Sequence, residues 1–339
     1  MKKIAVDFGS GTTKIYIPGC GVVLCEATCA AVEEYEENGQ TVFGVKALGD
    51  KARALSGRAA VNTHIVNPVV EGDIKHEKLA AALLKYFLEK IELGGTKAKR
   101  VEAIFTLPCG IKSQIKQKYV RLAQNCGIGA AYFTFVPFAA VLGHNVSLGE
   151  STPVFSLDIG QSVTNIAAFS KDGVISGLSV NLGGGNIDVH LIDELAEDNN
   201  FKIGTLTAER LKNTVGSLLE DDNKMLVIDG RQISNGAPVS LAVNSSQIYD
   251  VITTYVDKIL DYATLVISEL PAEVASAVMR GGVYLSGGVA KMDGLPEYIE
   301  KKLSIPVNVA EEPRLAAVIG AGTILSSDDL LDAFASVET

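Results

Sequence analysis

No stretch of this sequence approaches the roughly 18 consecutive apolar residues that span a bilayer, so no transmembrane helix is expected. The start, Met1-Lys2-Lys3-Ile4-Ala5-Val6-Asp7, sets a carboxylate where a signal peptide would continue its apolar core, and a cytoplasmic protein is expected. Cysteine is scarce: five residues, an odd number, with no C-x-x-C pair among Cys20, Cys25 and Cys29. That excludes a disulfide framework and a zinc site, and predicts that the cysteines serve as small buried hydrophobes. His64, His76, His144 and His190 are scattered without metal-ligand spacing. Basic runs are short, the longest being Lys97-Ala98-Lys99-Arg100, and 30 Lys+Arg against 40 Asp+Glu leave a net charge of −10. A nucleic-acid partner is therefore not expected. Two phosphate motifs are also missing. There is no G-x-x-x-x-G-K-[ST], and Gly9-Ser10-Gly11-Thr12-Thr13-Lys14 lacks the third glycine of a dinucleotide fingerprint, which disfavours a Rossmann oxidoreductase.

What is present suffices for two globular domains: 339 residues, 47% hydrophobic and 21% charged, with 33 glycines. Apolar stretches bounded by turn signals predict strands at Lys3 to Val6, Ile15 to Ile17, Val101 to Leu107, Val154 to Leu157, Asn165 to Phe169, Val174 to Leu178 and Val283 to Leu285. Tight turns are expected at Asn38-Gly39, Lys171-Asp172-Gly173 and Asp229-Gly230. Helical periodicity runs from Lys75 to Ile91, with Leu79, Leu83, Tyr86 and Phe87 on one face. It returns from Ile248 to Leu270, where Val251, Ile252, Tyr255, Ile259, Tyr262 and Val266 form a stripe and Asn244, three residues before Gln247, is the N-cap. Strands and helices alternate, with no Pro-rich linker, so the chain is α/β with domains joined by packed segments.

The segment Val6-Asp7-Phe8-Gly9-Ser10-Gly11-Thr12-Thr13-Lys14-Ile15 recurs as Leu157-Asp158-Ile159-Gly160-Gln161-Ser162-Val163-Thr164-Asn165-Ile166. Each copy reads as a strand, a glycine-bearing turn and a returning strand, which implies a duplicated domain. Such turns free backbone N–H groups for phosphate oxygens, and Ser and Thr add hydroxyl donors. A strand-end carboxylate suits the hydrated Mg²⁺ that accompanies a nucleotide. Two facing hairpins would clamp a triphosphate between domains. Three further constellations point the same way. Leu182-Gly183-Gly184-Gly185-Asn186 approaches a helix from about Ile187 to Leu195, a ready anion site. Leu285-Ser286-Gly287-Gly288-Val289-Ala290 lets backbone come close to a flat base. Glu209 and Lys212 share a helical face, where they reach ribose or base edges or form an ordinary ion pair.

In this order the motifs resemble the actin–Hsp70 nucleotide-binding superfamily, specifically its bacterial actin branch, the MreB type. Asn67-Pro68-Val69-Val70-Glu71-Gly72-Asp73-Ile74 and Ile305-Pro306-Val307-Asn308-Val309 carry the likeness outside the site. The resemblance implies duplicated RNase-H-like (actin-like ATPase) domains with a nucleotide cleft between them. Domain I would span 1–142, with a subdomain insertion at about 20–66. Domain II would span 143–325, with an insertion at about 186–246, leaving 326–339 as a tail that reads as a short capped acidic helix. ATP/ADP and Mg²⁺ would be the cofactors. Ser10, Gly11, Thr12 and Thr13 would hold phosphate from one side and Gly160, Gln161, Ser162 and Val163 from the other, with Lys14 adding positive potential. Asp7 and Asp158 would be outer-shell Mg²⁺ groups. Gly183, Gly184 and Gly185 would approach phosphates or sugar, Glu209 and Lys212 ribose and adenine, and Gly287, Gly288, Val289 and Ala290 the base. The implied partner is a second copy of the chain, in cytoskeletal protofilaments, with membrane-associated proteins beyond that. Direct membrane binding is not expected, because the turn Glu92-Leu93-Gly94-Gly95-Thr96-Lys97 offers a single exposed Leu and the first strand leaves no room for an N-terminal amphipathic helix.

Two departures bear on chemistry. MreB-like proteins carry Glu-Glu-Pro in the connecting segment, whereas this chain reads Phe135-Val136-Pro137, so Val136 replaces the water-positioning glutamate and offers no lone pair. Gly160-Gln161-Ser162 also replaces a run of three glycines. Binding with slow hydrolysis is expected, or hydrolysis through Gln161, with Thr164 and Asn165 orienting water weakly. A sugar or carboxylate kinase would need an acidic base where Val136 stands. An Hsp70-like ATPase would need a substrate-binding domain beyond Arg314, and the chain ends soon after, at Thr339.

Overall fold

The computed structural model describes residues 1–37, 40–146 and 152–337. Its first sheet runs in the order Ala335–Val337, Ala130–Phe135, Val101–Leu107, Lys2–Phe8, Thr12–Ile17, Gly21–Ala27. The second runs Gly173–Val180, Thr164–Ser170, Val154–Ile159, Val283–Ser286, Val307–Val309. Both follow one plan. Lys2–Phe8 pairs antiparallel with Thr12–Ile17 and parallel with Val101–Leu107. Val154–Ile159 likewise pairs antiparallel with Thr164–Ser170 and parallel with Val283–Ser286. The repeat seen in the sequence is thus a repeat of topology. Asp7 lies opposite Lys14 in the first hairpin, and Asp158 opposite Asn165 in the second. Every residue of Val154–Ile159 and Thr164–Ser170 is buried, as a central strand covered on both faces requires.

Smaller sheets stand apart from these two. Gln40–Leu48, Ala30–Glu37 and Thr63–Val66 form one, and Phe201–Lys202, Met225–Gln232 and Pro238–Asn244 another. The helix Ser245–Ser268 begins at Asn244 in a capping box: Gln247 N–H donates to Asn244 Oδ1 at 3.0 Å and Asn244 N–H to Gln247 Oε1 at 2.9 Å. Its inner face is buried as the periodicity predicts, except that Tyr262 is exposed.

Two helices lie between the main sheets. Val136–Leu142 is buried at every residue, and Ala316–Ser326 packs on it in a cluster that includes Ala5 and Ile104 of the first sheet and Ala167 and Phe169 of the second. Glycine allows the close approach. A Cβ on Gly320 would lie 1.8 Å from the Ala139 carbonyl oxygen, and one on Gly143 would lie 2.1 Å from that of Ala316. Gly320→Ala is therefore expected to destabilise the fold by about 3 kcal/mol through overpacking, seen as a lower urea midpoint at unchanged slope. Gly281→Ala, at a helix end with open space around it, should leave the midpoint unchanged or slightly raised.

Several expectations are corrected. Asp229-Gly230 is not a turn but lies within Met225–Gln232, because Gly230 leaves room for the Phe201 ring; a Cβ there would meet Phe201 Cζ at 2.6 Å. Leu93 is buried in the first core and offers no exposed anchor. Cys20 and Cys25 are exposed, while Cys29, Cys109 and Cys126 are buried. The capped acidic helix expected after residue 326 is present, with Ser327 capping Asp328–Phe334, but the described residues do not end with it: Phe334 packs on Phe138 at a ring separation of 5.0 Å, and Ala335–Val337 pairs antiparallel with Ala130–Phe135. The apolar side of the helix has a place in the central core, which the acidic face alone did not reveal. The Asn38-Gly39 turn lies outside the described residues. No described helix is long and apolar enough to cross a membrane.

Candidate functional site in the interdomain cleft

Each hairpin turn follows from its glycine. Gly160 N–H donates to Val163 O at 3.0 Å, and a Cβ there would lie 2.8 Å from that oxygen. At Gly9 the equivalent contact is with Thr12 O at 3.0 Å. The two turns meet: Ser10 Oγ and Ser162 Oγ share a hydrogen bond of 2.5 Å, and Ser162 Oγ also accepts the Glu71 N–H at 3.2 Å. Among the described residues, the N–H groups of Ser10, Gly11, Gln161 and Ser162 have no acceptor. Unspent amides on glycine-bearing turns form an anion-binding concavity.

The turns border a cleft of about 1090 Å³. Of the residues singled out in the sequence, Asp7, Ser10, Gly11, Thr12, Lys14, Asp158, Gly160, Gln161, Val163, Gly185, Glu209, Lys212, Gly287, Gly288 and Val289 line it, and Val136 does too. Six do not: Thr13, Ser162, Thr164, Gly183, Gly184 and Ala290. The reasons are local. Thr13 is fully buried with its hydroxyl bonded to that of Thr28 at 2.8 Å, since successive strand residues face opposite sides. Thr164 is fully buried and donates to Leu182 O at 2.7 Å, so it is not available to orient water.

The glycine run 183–185 also differs from its expected role. Gly183 N–H donates to Asn186 Oδ1 at 2.9 Å, Gly184 N–H to Gly160 O at 2.9 Å and Gly185 N–H to Gln161 O at 2.7 Å. The amides of Gly184 and Gly185 brace the second hairpin and that of Gly183 closes the cap of its own helix, so none waits for an anion. A Cβ on Gly183 would lie 2.7 Å from Gly160 O, which explains the glycine. Gly287, at φ 90°, is likewise required by its own fold, because a Cβ would meet Ile159 O at 2.2 Å. Gly288 has nothing within 4 Å of a Cβ position and leaves the cleft wall open to a flat ligand.

Electrostatics organise the floor. Asp7 accepts from Lys14 Nζ at 2.6 Å and Thr106 Oγ1 at 3.0 Å. Asp158 accepts from Ser286 Oγ at 2.9 Å. Burial raises Asp158 to about 6; the hydrogen bond from Ser286 opposes this, the neighbouring Asp7 charge adds to it and Lys14 opposes it. Two carboxylates converge where one lysine does not balance both, a donor set suited to a hydrated Mg²⁺. Deeper in, Lys212 pairs with Asp188 at 2.7 Å and donates to Gly184 O at 2.8 Å. Burial raises the Asp188 pKa and Lys212 opposes that. Gln161 Nε2 lies 3.4 Å from the other Asp188 oxygen. Glu209 does not pair with Lys212; its partner is Arg53, whose pKa the Glu209 hydrogen bond raises.

Arg53, Thr106, Asp188 and Ser286 escaped the sequence reading. Ser286 and Asp188 lay within motifs already singled out, and the pairing of Asp158 with Ser286 across parallel strands would have exposed the first. Arg53 had no local signal, because its partner is 156 residues away.

Two sheets of one topology, joined by buried helices and opposing paired glycine hairpins across a cleft, define an actin-like two-domain protein. The chain belongs to the MreB/Mbl protein family, whose model matches residues 1–333. It is 28% identical over 332 residues to the cell shape-determining protein Mbl of Bacillus subtilis, covering 97% of each chain. The structure of MreB5 of Spiroplasma citri bound to ADP superposes with a TM-score of 0.88 at 23% identity, covering 96% of this chain and 97% of that one. The MamK double helical filament shares the fold more distantly, with a TM-score of 0.76 at 16% identity and coverage of 96% and 99%.

Proposed function

We propose that this chain is an ATP-binding bacterial actin homologue of the cytoplasm that assembles with copies of itself into protofilaments, in a cell-shape or scaffold role, and hydrolyses ATP slowly. The observation that carries the nucleotide reading is the pair of facing hairpins with unspent amides at Ser10, Gly11 and Gln161 on one cleft, and a fourth at the adjoining Ser162. Those amides and Lys14 hold phosphate. Asp7 and Asp158 hold the water shell of Mg²⁺, which neutralises phosphate charge when bound. Gly288 and Val289 face the base and Glu209 the ribose. The MreB5 structure bound to ADP and the MamK filament support nucleotide binding and self-assembly as properties of this fold. Membrane-associated proteins are the further partners we infer. Hydrolysis is slow because Val136 lines the cleft without a lone pair; Gln161, turned toward Asp188, is the side-chain amide on the hairpin turn that orients water, since Asn165 Oδ1 on the same cleft already accepts from Cys109 N–H and Ser179 Oγ.

Sedimentation tests the reading. Mg·ATP should drive the protein into the pellet above a critical concentration, with double or single protofilaments visible by electron microscopy. A protein that stays monomeric over a wide concentration range with nucleotide bound would overturn the assembly.

A further inference from the structure

Arg53 ends the short helix Asp50–Arg53, and Glu209 sits on the helix Thr205–Val215. The two residues lie 156 positions apart and both line the cleft. Arg53 Nη2 donates to Glu209 Oε2. The arginine is not carried by a loose loop. Ala52 is fully buried in a cluster with Ala27, Cys29 and Ala31, and Asp50 Oδ1 accepts the Ala27 N–H at 2.9 Å. Among the described residues, Glu209 Oε1 accepts no hydrogen bond. One carboxylate oxygen is thus held by a guanidinium on an anchored helix while the other stays available on the cleft wall. A free glutamate would lose rotamer freedom on meeting a ligand hydroxyl, and a glutamate already held by an arginine loses less.

We propose that Arg53 is a positioning residue that presets Glu209 to accept a hydrogen bond from a ribose hydroxyl, and so gives the cleft its preference for ribonucleotides over deoxyribonucleotides. This deepens the reading of Glu209 as the ribose contact and rests on it. A site built to bond a hydroxyl rejects the analogue that lacks it, because its own buried polar group is left unpaired.

The test is equilibrium binding of ADP, 2′-deoxy-ADP and 3′-deoxy-ADP to the full chain with Mg²⁺. The wild-type protein should favour ADP over at least one deoxy analogue on the order of tenfold, the worth of one hydrogen bond to a charged group. Glu209→Ala should abolish the preference. Arg53→Ala should cut it to about threefold or less by weakening ADP alone, and the unchanged affinity for the deoxy analogue shows that the cleft is still folded. Arg53→Lys should restore part of it, and Arg53→Ala should change nothing further on a Glu209→Ala background. Full discrimination by Arg53→Ala, with none by Glu209→Ala, would overturn the role of Arg53. Discrimination that survives Glu209→Ala, or that is absent from the wild type, would overturn the ribose reading of Glu209.

Discussion

Val136→Glu is expected to raise steady-state ATP turnover on the order of 10²-fold, measured as phosphate release at saturating Mg·ATP. Val136 is 9% exposed, lines the cleft and is the first residue of the helix Val136–Leu142. A carboxylate there would bring to the cleft wall the lone pair that valine lacks, and with it the means to orient a water and take its proton. Val136→Gln, which orients but does not accept a proton, should fall between wild type and Val136→Glu. Nucleotide affinity should change little in either. If turnover stays at the wild-type level while ADP still binds, the missing carboxylate is not what limits hydrolysis. Gln161→Ala completes the comparison: it should remove much of the residual wild-type activity and little of that gained by Val136→Glu.

The second large effect is expected at Asp158. Burial raises its pKa from 3.8 to about 6 in the nucleotide-free fold. The folded chain therefore keeps a proton on Asp158 that the unfolded chain has released, and stability falls as pH rises between those two values. The contribution is fully present below the unfolded pKa and lost above the folded one, amounting to about 3 kcal/mol. Asp158→Asn should accordingly stabilise the nucleotide-free protein at pH 8 by up to that amount, and the difference should shrink toward zero at pH 4. The same substitution should weaken Mg²⁺-dependent nucleotide binding by at least about tenfold. Urea denaturation at both pH values, paired with ADP titrations with and without Mg²⁺, reads both effects. A variant less stable than wild type at pH 8 would refute the cost assigned to the buried charge. Opposite signs for stability and binding are what a functional carboxylate held in a buried, under-compensated place should produce.

Much of this was legible in the residues. The recurrence of Asp7-Phe8-Gly9 as Asp158-Ile159-Gly160 reports one local structure made twice, because the tight turn and the strand-end carboxylate are set within ten residues. Asn244 and Gln247 could be read as a cap because both bonds of the box close within one turn. The errors share the opposite character. Gly183 to Gly185 looked like an anion site, yet their amides are taken by Asn186 and by carbonyls of a hairpin some twenty residues earlier. Asp229-Gly230 looked like a turn, yet the glycine makes room for Phe201. Thr164 looked available for water and is instead bonded to Leu182.

The sequence by itself determined the α/β duplication, the two phosphate-type hairpins and a valine in place of any carboxylate at position 136, since each is written in contiguous residues. Only the tertiary structure decided which groups remain free on the cleft: that Lys212 is taken by Asp188, that Glu209 is held by Arg53, and that the final strand joins the first sheet. The physical reason is that hydrogen bonds and ion pairs go to whichever partner folding brings within about 3 Å, and distance along the chain carries no information about that.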